Sequence, residues 1–347
     1  MSAHPVCRPG LAALCGLSLL TQTLLVPSVA LADGAAPAAA TALPSGAAGL
    51  NEALPSAEEI WDPALLRRAG LDPAQLTCRA SVLWGNDLRK QAAEVAAQIT
   101  AALPPGRLRE SGEQQRFIDA ATEITFWRLV RVLMIDGQNH NAGVIALRGF
   151  QWSDASGRRR PLLVFRSAIT DLDGPSPSCA ASLIRHGEVR HVANLYDTDK
   201  IPVGTLVQQE EALSRSCGAS YLRPEQALER YGSWREELRR APPDSPAARQ
   251  AMGQLARLIR EQILAPGGRP PAGNIYLHCG GGMHRSGMVM GILERCVNGA
   301  SMQAVRRRYL WHTAWRGPRN PGGAEAGNLE VIARFDCRSL GPLPAAS

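Results

Sequence analysis

The sequence predicts an α/β fold in which helices flank a central, mostly parallel sheet. The chain has 347 residues, 45% of them hydrophobic and 20% charged, so it can bury a sizeable core and does not have the composition of a disordered protein. Short apolar strands alternate with longer helical segments through its second half, a pattern typical of parallel sheets. A glycine-rich turn follows the strand that ends near residue 278, and in such sheets ligands bind beyond the carboxyl ends of the strands.

The elements follow from hydrophobic periodicity. Strands are predicted at 188–195, 220–222 and 274–278, and helices at 247–264, 286–298, 302–310 and 329–335. Upstream, 144–152 and 162–165 flank a turn-rich stretch and predict a hairpin. Residues 58–160 are predicted to be a mainly helical N-terminal region, with long helices at 87–103 and 116–135. The second of these repeats apolar side chains at helical spacing, which we expect in the core: Phe117, Ala121, Ile124 and Trp127.

The first residues are typical of an export signal. Arg8 precedes an apolar run over 11–26, and Ala30-Leu31-Ala32 has the small residues of a cleavage site. We expect a signal peptide over 1–32, with an uncleaved anchor as the alternative, and a periplasmic or secreted protein with no stable membrane span after cleavage. An Ala-, Pro- and Gly-rich linker is expected over 33–57, and a catalytic domain over 161–347.

Cysteines and charge restrict the partners. Six cysteines would remain after cleavage, and in an oxidising compartment some could pair: Cys78, Cys179, Cys217, Cys279, Cys296 and Cys337. Their spacing does not match a zinc site, so no metal and no cofactor is expected. The net charge of +7 favours anionic partners, but no zinc-finger, basic-zipper or RNA-binding pattern accompanies it, so no nucleic acid is expected.

The stretch HCGGGMHRSG, residues 278–287, carries the chemistry. A strand, a glycine-rich turn and a helix start would direct successive backbone N–H groups at one point, which makes an anion site. A thiolate at Cys279 would be stabilised by the same donors. Arg285 could hold two phosphate oxygens with its planar guanidinium. The predicted phosphate-binding residues are therefore Gly280, Gly281, Gly282, Met283, His284 and Arg285.

The arrangement His278-Cys279-x5-Arg285-Ser286 resembles the signature of the cysteine-dependent protein tyrosine and dual-specificity phosphatase superfamily. The resemblance extends more loosely from Phe165-Arg166-Ser167 to the final helices, about half of the chain. It implies a phosphatase-like fold, a nucleophilic Cys279 that forms a phosphocysteine, and transition-state binding by Arg285 and the loop amides. It also implies that Ser286 stabilises the departing thiolate and that His278 organises the loop.

The resemblance further implies a general acid, an Asp on a mobile loop upstream of the nucleophile. Asp244 lies 35 residues before Cys279, within Pro-Pro-Asp-Ser-Pro, and is the first candidate. An Asp at this place is also an ordinary helix-start residue. Asp197 and Asp199, just past a predicted strand, are the alternatives.

The expected substrates are phosphorylated proteins or small phosphoesters such as inositol phosphates. No Trp precedes Pro243-Asp244, unlike in tyrosine-specific members, and the loop lacks the lysines of phosphoinositide-directed members. His284 is similar to the residue in plant and fungal atypical dual-specificity phosphatases, some of which act on inositol polyphosphates. It could carry positive charge into the site or be a neutral loop residue.

Two other functions use the same loop. A non-catalytic phosphate-binding pseudophosphatase would keep the anion site without turnover. A rhodanese-like sulfurtransferase or an arsenate-reducing enzyme would also place a cysteine there, but Ser286 and Asp244 argue against that chemistry.

Overall fold

The computed structural model describes residues 55–78, 87–108, 111–135, 141–169, 172, 178–197, 204–313 and 324–343. The expected signal peptide and the expected linker up to residue 54 lie outside these ranges. All the described residues belong to one compact unit. Within them, no helix combines the length and apolarity needed to cross a membrane.

A five-stranded sheet forms the centre of the protein. Its strands are β1 (Gly143–Ser153), β2 (Arg159–Ala168), β3 (Val189–Asn194), β4 (Ser220–Leu222) and β5 (Asn274–Cys279). They lie in the order β1-β2-β5-β3-β4. Only β1 and β2 pair antiparallel, as the predicted hairpin, and the other three pairings are parallel. The predicted α/β fold with a mostly parallel sheet is therefore confirmed, and the sheet begins at β1, before the expected domain start at residue 161.

The pairing register aligns the carboxyl ends of the three central strands. Ala168 of β2 lies opposite Cys279, and Asn194 of β3 lies opposite His278. The chain segments that follow β2, β3 and β5 consequently leave the sheet at one edge, which is where parallel sheets form their ligand sites.

Alternating side chains of the strands enter two separate hydrophobic cores, as the period of two in a β-strand requires. Val164 and Leu277 lie in the core formed with the later helices, whereas Phe165 and Tyr276 lie in the core formed with the N-terminal segment. Both faces of the sheet are thus covered, which explains the nearly continuous apolar strands of the sequence.

The N-terminal region is helical, with α1 (Ala57–Ile60), α2 (Pro63–Arg68), α3 (Asp87–Ala101) and α4 (Ser111–Ile135). Asp62 caps α2 by accepting hydrogen bonds from the backbone N–H groups of Ala64 and Leu65. The core assignment for α4 is wrong at Ile124, whose side chain is 56% exposed, because Phe126 occupies the buried face instead. The side chain of Trp127 lies outside the described residues.

In chain order, the remaining described helices are α5 (Cys179–His186), α6 (Gly204–Ser216), α7 (Pro224–Tyr231), α8 (Trp234–Arg240), α9 (Pro246–Ile259), α10 (Arg285–Cys296), α11 (Met302–His312) and α12 (Ala324–Arg334). A π-helical turn, Arg260–Leu264, continues α9 to the end of the predicted helix. Short 3₁₀ turns occur at Pro73–Gln75, Pro266–Gly268 and Cys337–Leu340. Helices α5 to α8 connect strands that the sequence predicts, but the helices themselves were not predicted.

Between residues that the structure describes, two disulfides connect segments that are distant in the sequence. Cys78 is bonded to Cys179 at the start of α5, and Cys296 at the end of α10 is bonded to Cys337. Of the cysteines within the described ranges, Cys279 is the one with a free thiol.

Candidate active site

Cys279 is the last residue of the central strand β5, and it lies next to the start of α10. Its side chain is almost fully buried and its Sγ is 3.4 Å from the Oγ of Ser286 in the first turn of α10. The intervening residues, Gly280 to His284, form what we call the phosphate loop. The structure therefore brings the thiol, the loop and the helix N-terminus together as the sequence predicts from contiguous residues.

Three successive carbonyl groups of the phosphate loop each accept a hydrogen bond from a residue outside the loop. The carbonyl of Gly280 accepts from the backbone N–H of Ile169 at 3.1 Å, and that of Gly281 accepts from Asn141 Nδ2 at 2.9 Å. The carbonyl of Gly282 accepts from Nη2 of Arg166. In a trans peptide unit the N–H points opposite to the carbonyl. The N–H groups of Gly281, Gly282 and Met283 therefore each point away from the donor to the preceding carbonyl, as a backbone anion nest would require.

Gly282 is the position of the loop that requires glycine. Its φ is +62°, and a Cβ there would lie 2.6 Å from the carbonyl carbon of Ser167 and 2.7 Å from the backbone nitrogen of Ala168. The loop packs directly on the end of β2, so a side chain at this position would displace one or the other.

Arg285 lies at the first position of α10 with its side chain only 12% exposed. Burial lowers its pKa to about 10, which leaves the guanidinium charged at neutral pH. Its Nη2 forms an ion pair with Oδ1 of Asp197, three residues after β3. A cation at the helix start and a carboxylate from the neighbouring strand thus meet beside the phosphate loop.

Asp244, the first candidate for the general acid, lies elsewhere. Its carboxylate is 96% exposed and accepts from Nη2 of Arg334 at 2.7 Å, and Arg334 ends α12. The next residue, Phe335, accepts through its carbonyl from Arg295 in the last turn of α10, the opposite end of that helix from the phosphate loop. Among the described contacts, none joins Asp244 to Cys279 or Arg285. Asp199, the other alternative, lies outside the described residues.

His278 is fully buried and connects β5 to α6. Its Nε2 lies 2.9 Å from Oε2 of Glu210, and the same oxygen accepts from the hydroxyl of Tyr221 at 2.6 Å. Asn194 Nδ2 donates to that hydroxyl at 2.9 Å. Burial and the adjacent Glu210 carboxylate raise the pKa of Tyr221, so the phenol stays a donor. The ring of His278 also stacks on Tyr276, with centroids 5.1 Å apart, so its orientation is set by both contacts.

His284 and Met283 complete the loop. Met283 is buried, whereas His284 is half-buried, and its carbonyl accepts from the backbone N–H of Met288 in α10 at 2.8 Å. His284 therefore links the loop to the helix through its backbone.

Sequence reasoning gave no role to three residues that hold this site. Glu210 occupies the buried face of α6 beside Leu206 and Val207, so an acidic residue at a core position was the available signal. Arg166 interrupts the apolar run of β2 in the same way. Asn141 has no comparable pattern, because its role depends on a contact 140 residues away.

Comparisons with known proteins add a weak structural likeness. No family model and no curated protein matches the sequence. Among solved structures, the core catalytic domain of the PP-IP phosphatase SIW14 from S. cerevisiae, crystallised with citrate, matches with a TM-score of 0.31. The two sequences are 16% identical, and the match covers 50% of this chain and 80% of that domain. It is too weak to carry an argument about function.

Proposed function

We propose that this protein is an exported cysteine-dependent phosphatase that hydrolyses phosphomonoesters through a phosphocysteine intermediate. One observation carries the proposal. The free thiol of Cys279 lies at the end of the central strand, followed by a loop whose carbonyls at Gly280, Gly281 and Gly282 each accept a hydrogen bond from a residue outside the loop. This arrangement suits a tetrahedral anion in line with a thiolate.

The first chemical step would be attack of the Cys279 thiolate on phosphorus. The S–P bond forms while the bond from phosphorus to the ester oxygen breaks, and that oxygen takes a proton from a general acid. Arg285 and the loop amides would hold the three equatorial oxygens as charge shifts in the transition state. Water then attacks phosphorus and gives a proton to the carboxylate left by the general acid, while the S–P bond breaks to release inorganic phosphate and the thiolate, with Ser286 Oγ placed to donate to the departing sulfur.

We assign the general acid to Asp197 in place of Asp244, because Asp197 is the carboxylate in contact with Arg285. A bound phosphate group would compete with Asp197 for the guanidinium of Arg285. The displaced carboxylate would then lie next to a dianion, and like charges favour its protonated form. The general acid would thus be protonated when the substrate binds.

Under this proposal, phosphorylated proteins and inositol phosphates are both candidate substrates. The net charge of +7 favours anionic ligands of either kind. Discrimination between them depends on the groups around the phosphate loop and requires a substrate panel.

Export is supported by the two disulfides, Cys78–Cys179 and Cys296–Cys337, because such bonds form and persist in oxidising compartments. N-terminal sequencing of the mature protein tests this part, with Asp33 as the expected first residue. A mature protein that begins at residue 1 or 2 would contradict it.

The decisive experiment measures hydrolysis of an aryl phosphate, a phosphotyrosine peptide, a phosphoserine peptide and inositol hexakisphosphate under mild reduction. Cys279→Ser should abolish turnover of every substrate. Asp197→Asn should lower kcat by about 100-fold for alkyl phosphates and much less for the aryl phosphate, whose leaving oxygen needs little protonation. It should also remove the basic limb of the pH profile.

Asp244→Asn is the matched control, since it removes the same charge from an exposed ion pair. It should leave the turnover of all four substrates unchanged. The reverse ranking of the two variants would return the general acid to Asp244. Absence of wild-type turnover, with phosphate ligands still bound, would make the protein a binding module and reject the catalytic proposal.

A further inference from the structure

A second cation besides Arg285 contacts the phosphate loop, and it is buried. Arg166 projects from β2, is 3% exposed, and donates from Nη2 to the carbonyl of Gly282. This contact fixes the peptide group at the one loop position that adopts a left-handed conformation. Arg166 therefore acts on the loop from within the core.

The charge of Arg166 reaches the nucleophile. Burial lowers the pKa of Arg166 to about 10, and the thiolate of Cys279 is the first of the groups that oppose this change. Arg166 therefore places a buried positive charge within electrostatic reach of Cys279. The low dielectric of a buried site strengthens the interaction relative to water.

The surroundings of Arg166 leave its charge only partly compensated. Glu294 of α10 is its buried counter-charge, and Glu294 also accepts from Arg308 at 3.2 Å. Burial raises the pKa of Glu294 to about 7, so below neutral pH its carboxyl takes up a proton. Burial also lowers the pKa of His312, whose ring is neutral there. Tyr309 is the remaining titratable neighbour.

A small cavity lies among these groups. It has a volume of about 10 Å³, room for about one water molecule, and is lined by Arg166, Glu294, His312 and their neighbours. The charge is thus shielded by little solvent.

We propose that Arg166 is a positioning residue that holds the phosphate loop through Gly282 and favours the thiolate of Cys279 by its positive charge. The inference rests on the proposed function in taking Cys279 as the reacting thiol. It adds a second cation that never contacts the substrate and acts through the nucleophile.

The test is the pH dependence of Cys279 alkylation by iodoacetamide, followed by mass spectrometry with Cys279→Ser as the blank. Arg166→Met should raise the midpoint of the profile by about one pH unit, which is about a tenfold slower reaction at pH 6. Arg166→Lys keeps the charge and should stay close to the wild-type midpoint. A merely structural role would change the amount of folded protein without moving the midpoint.

Arg308→Met is the matched control, because Arg308 shares the partner Glu294 but makes no described contact with the phosphate loop. It should leave the midpoint unchanged. If Arg166→Met does not fold, as judged by circular dichroism, the pair Arg166→Met with Glu294→Gln removes both charges together and should show the same upward shift.

Three results would overturn the inference. These are an unchanged midpoint in the Arg166→Met protein or in its paired variant, an equal shift in the Arg166→Lys protein, and an equal shift in the Arg308→Met protein. Alkylation requires no turnover, so the two proposals fail separately. A wild-type protein that shows these shifts but hydrolyses no phosphoester would refute the phosphatase and leave the role of Arg166 standing.

Discussion

Replacing Gly282 by alanine tests whether the phosphate loop is held as tightly as its geometry indicates. An alanine at φ +62° costs about 1–2 kcal/mol in backbone conformation. Its Cβ would also lie 2.6 Å from the backbone of Ser167, and such overpacking adds about 1–3 kcal/mol. We therefore expect Gly282→Ala to lower the free energy of unfolding by about 2–5 kcal/mol.

Gly299 supplies the control for the conformational part of this cost. Its φ is +70°, but no atom lies within 4 Å of a Cβ built there, so Gly299→Ala should cost only about 1–2 kcal/mol. Thermal unfolding by circular dichroism compares the two, with about 2–4 °C expected for each kcal/mol. In a phosphatase assay, displacement of the loop by about 1 Å should lower kcat/KM about 100-fold in the Gly282 variant alone.

The reasoning is refuted if the two alanine variants lose equal stability, because the contact with β2 would then have no energetic effect. It is also refuted if Gly282→Ala retains wild-type turnover, since the loop amides would not need the geometry seen here.

Two further changes probe the fold around the site. Replacing Cys296 and Cys337 by serine removes a disulfide that spans 41 residues and should lower the free energy of unfolding by about 4 kcal/mol. Urea denaturation without reductant measures this loss, and an unchanged unfolding midpoint would contradict it. Glu294→Gln should gain stability over the wild type as pH rises from 5 to 8. Burial raises the pKa of Glu294 from 4.5 to about 7, so the free energy of unfolding of the wild type falls by up to about 3 kcal/mol as pH rises through that range. Urea denaturation of both proteins measures this, and a stability difference between them that does not change with pH would contradict it.

The candidate site shows where local sequence suffices. Residues 274–296 form a strand, a glycine turn and a helix from contiguous residues, so the placement of Cys279 beside Ser286 follows from the chain itself. The parallel sheet follows from the alternation of apolar strands and helices, since each pattern reflects burial of one or both faces. The strand Ser220–Leu222 was predicted with its observed bounds, and most of the other predicted elements differ from the observed ones by a few residues at their ends.

Only the tertiary structure decides what surrounds that site. Asp197 meets Arg285 because the register of β3 on β5 aligns their carboxyl ends, and no local pattern distinguishes Asp197 from Asp244. The contact of Asn141 with the phosphate loop spans 140 residues, and the bond between Cys78 and Cys179 spans 101. Sequence periodicity reports which face of an element is buried, but the partner across that face depends on how the elements pack. The positions of Cys279 and its loop are therefore encoded locally, whereas the residues that contact them from other elements are set by the fold.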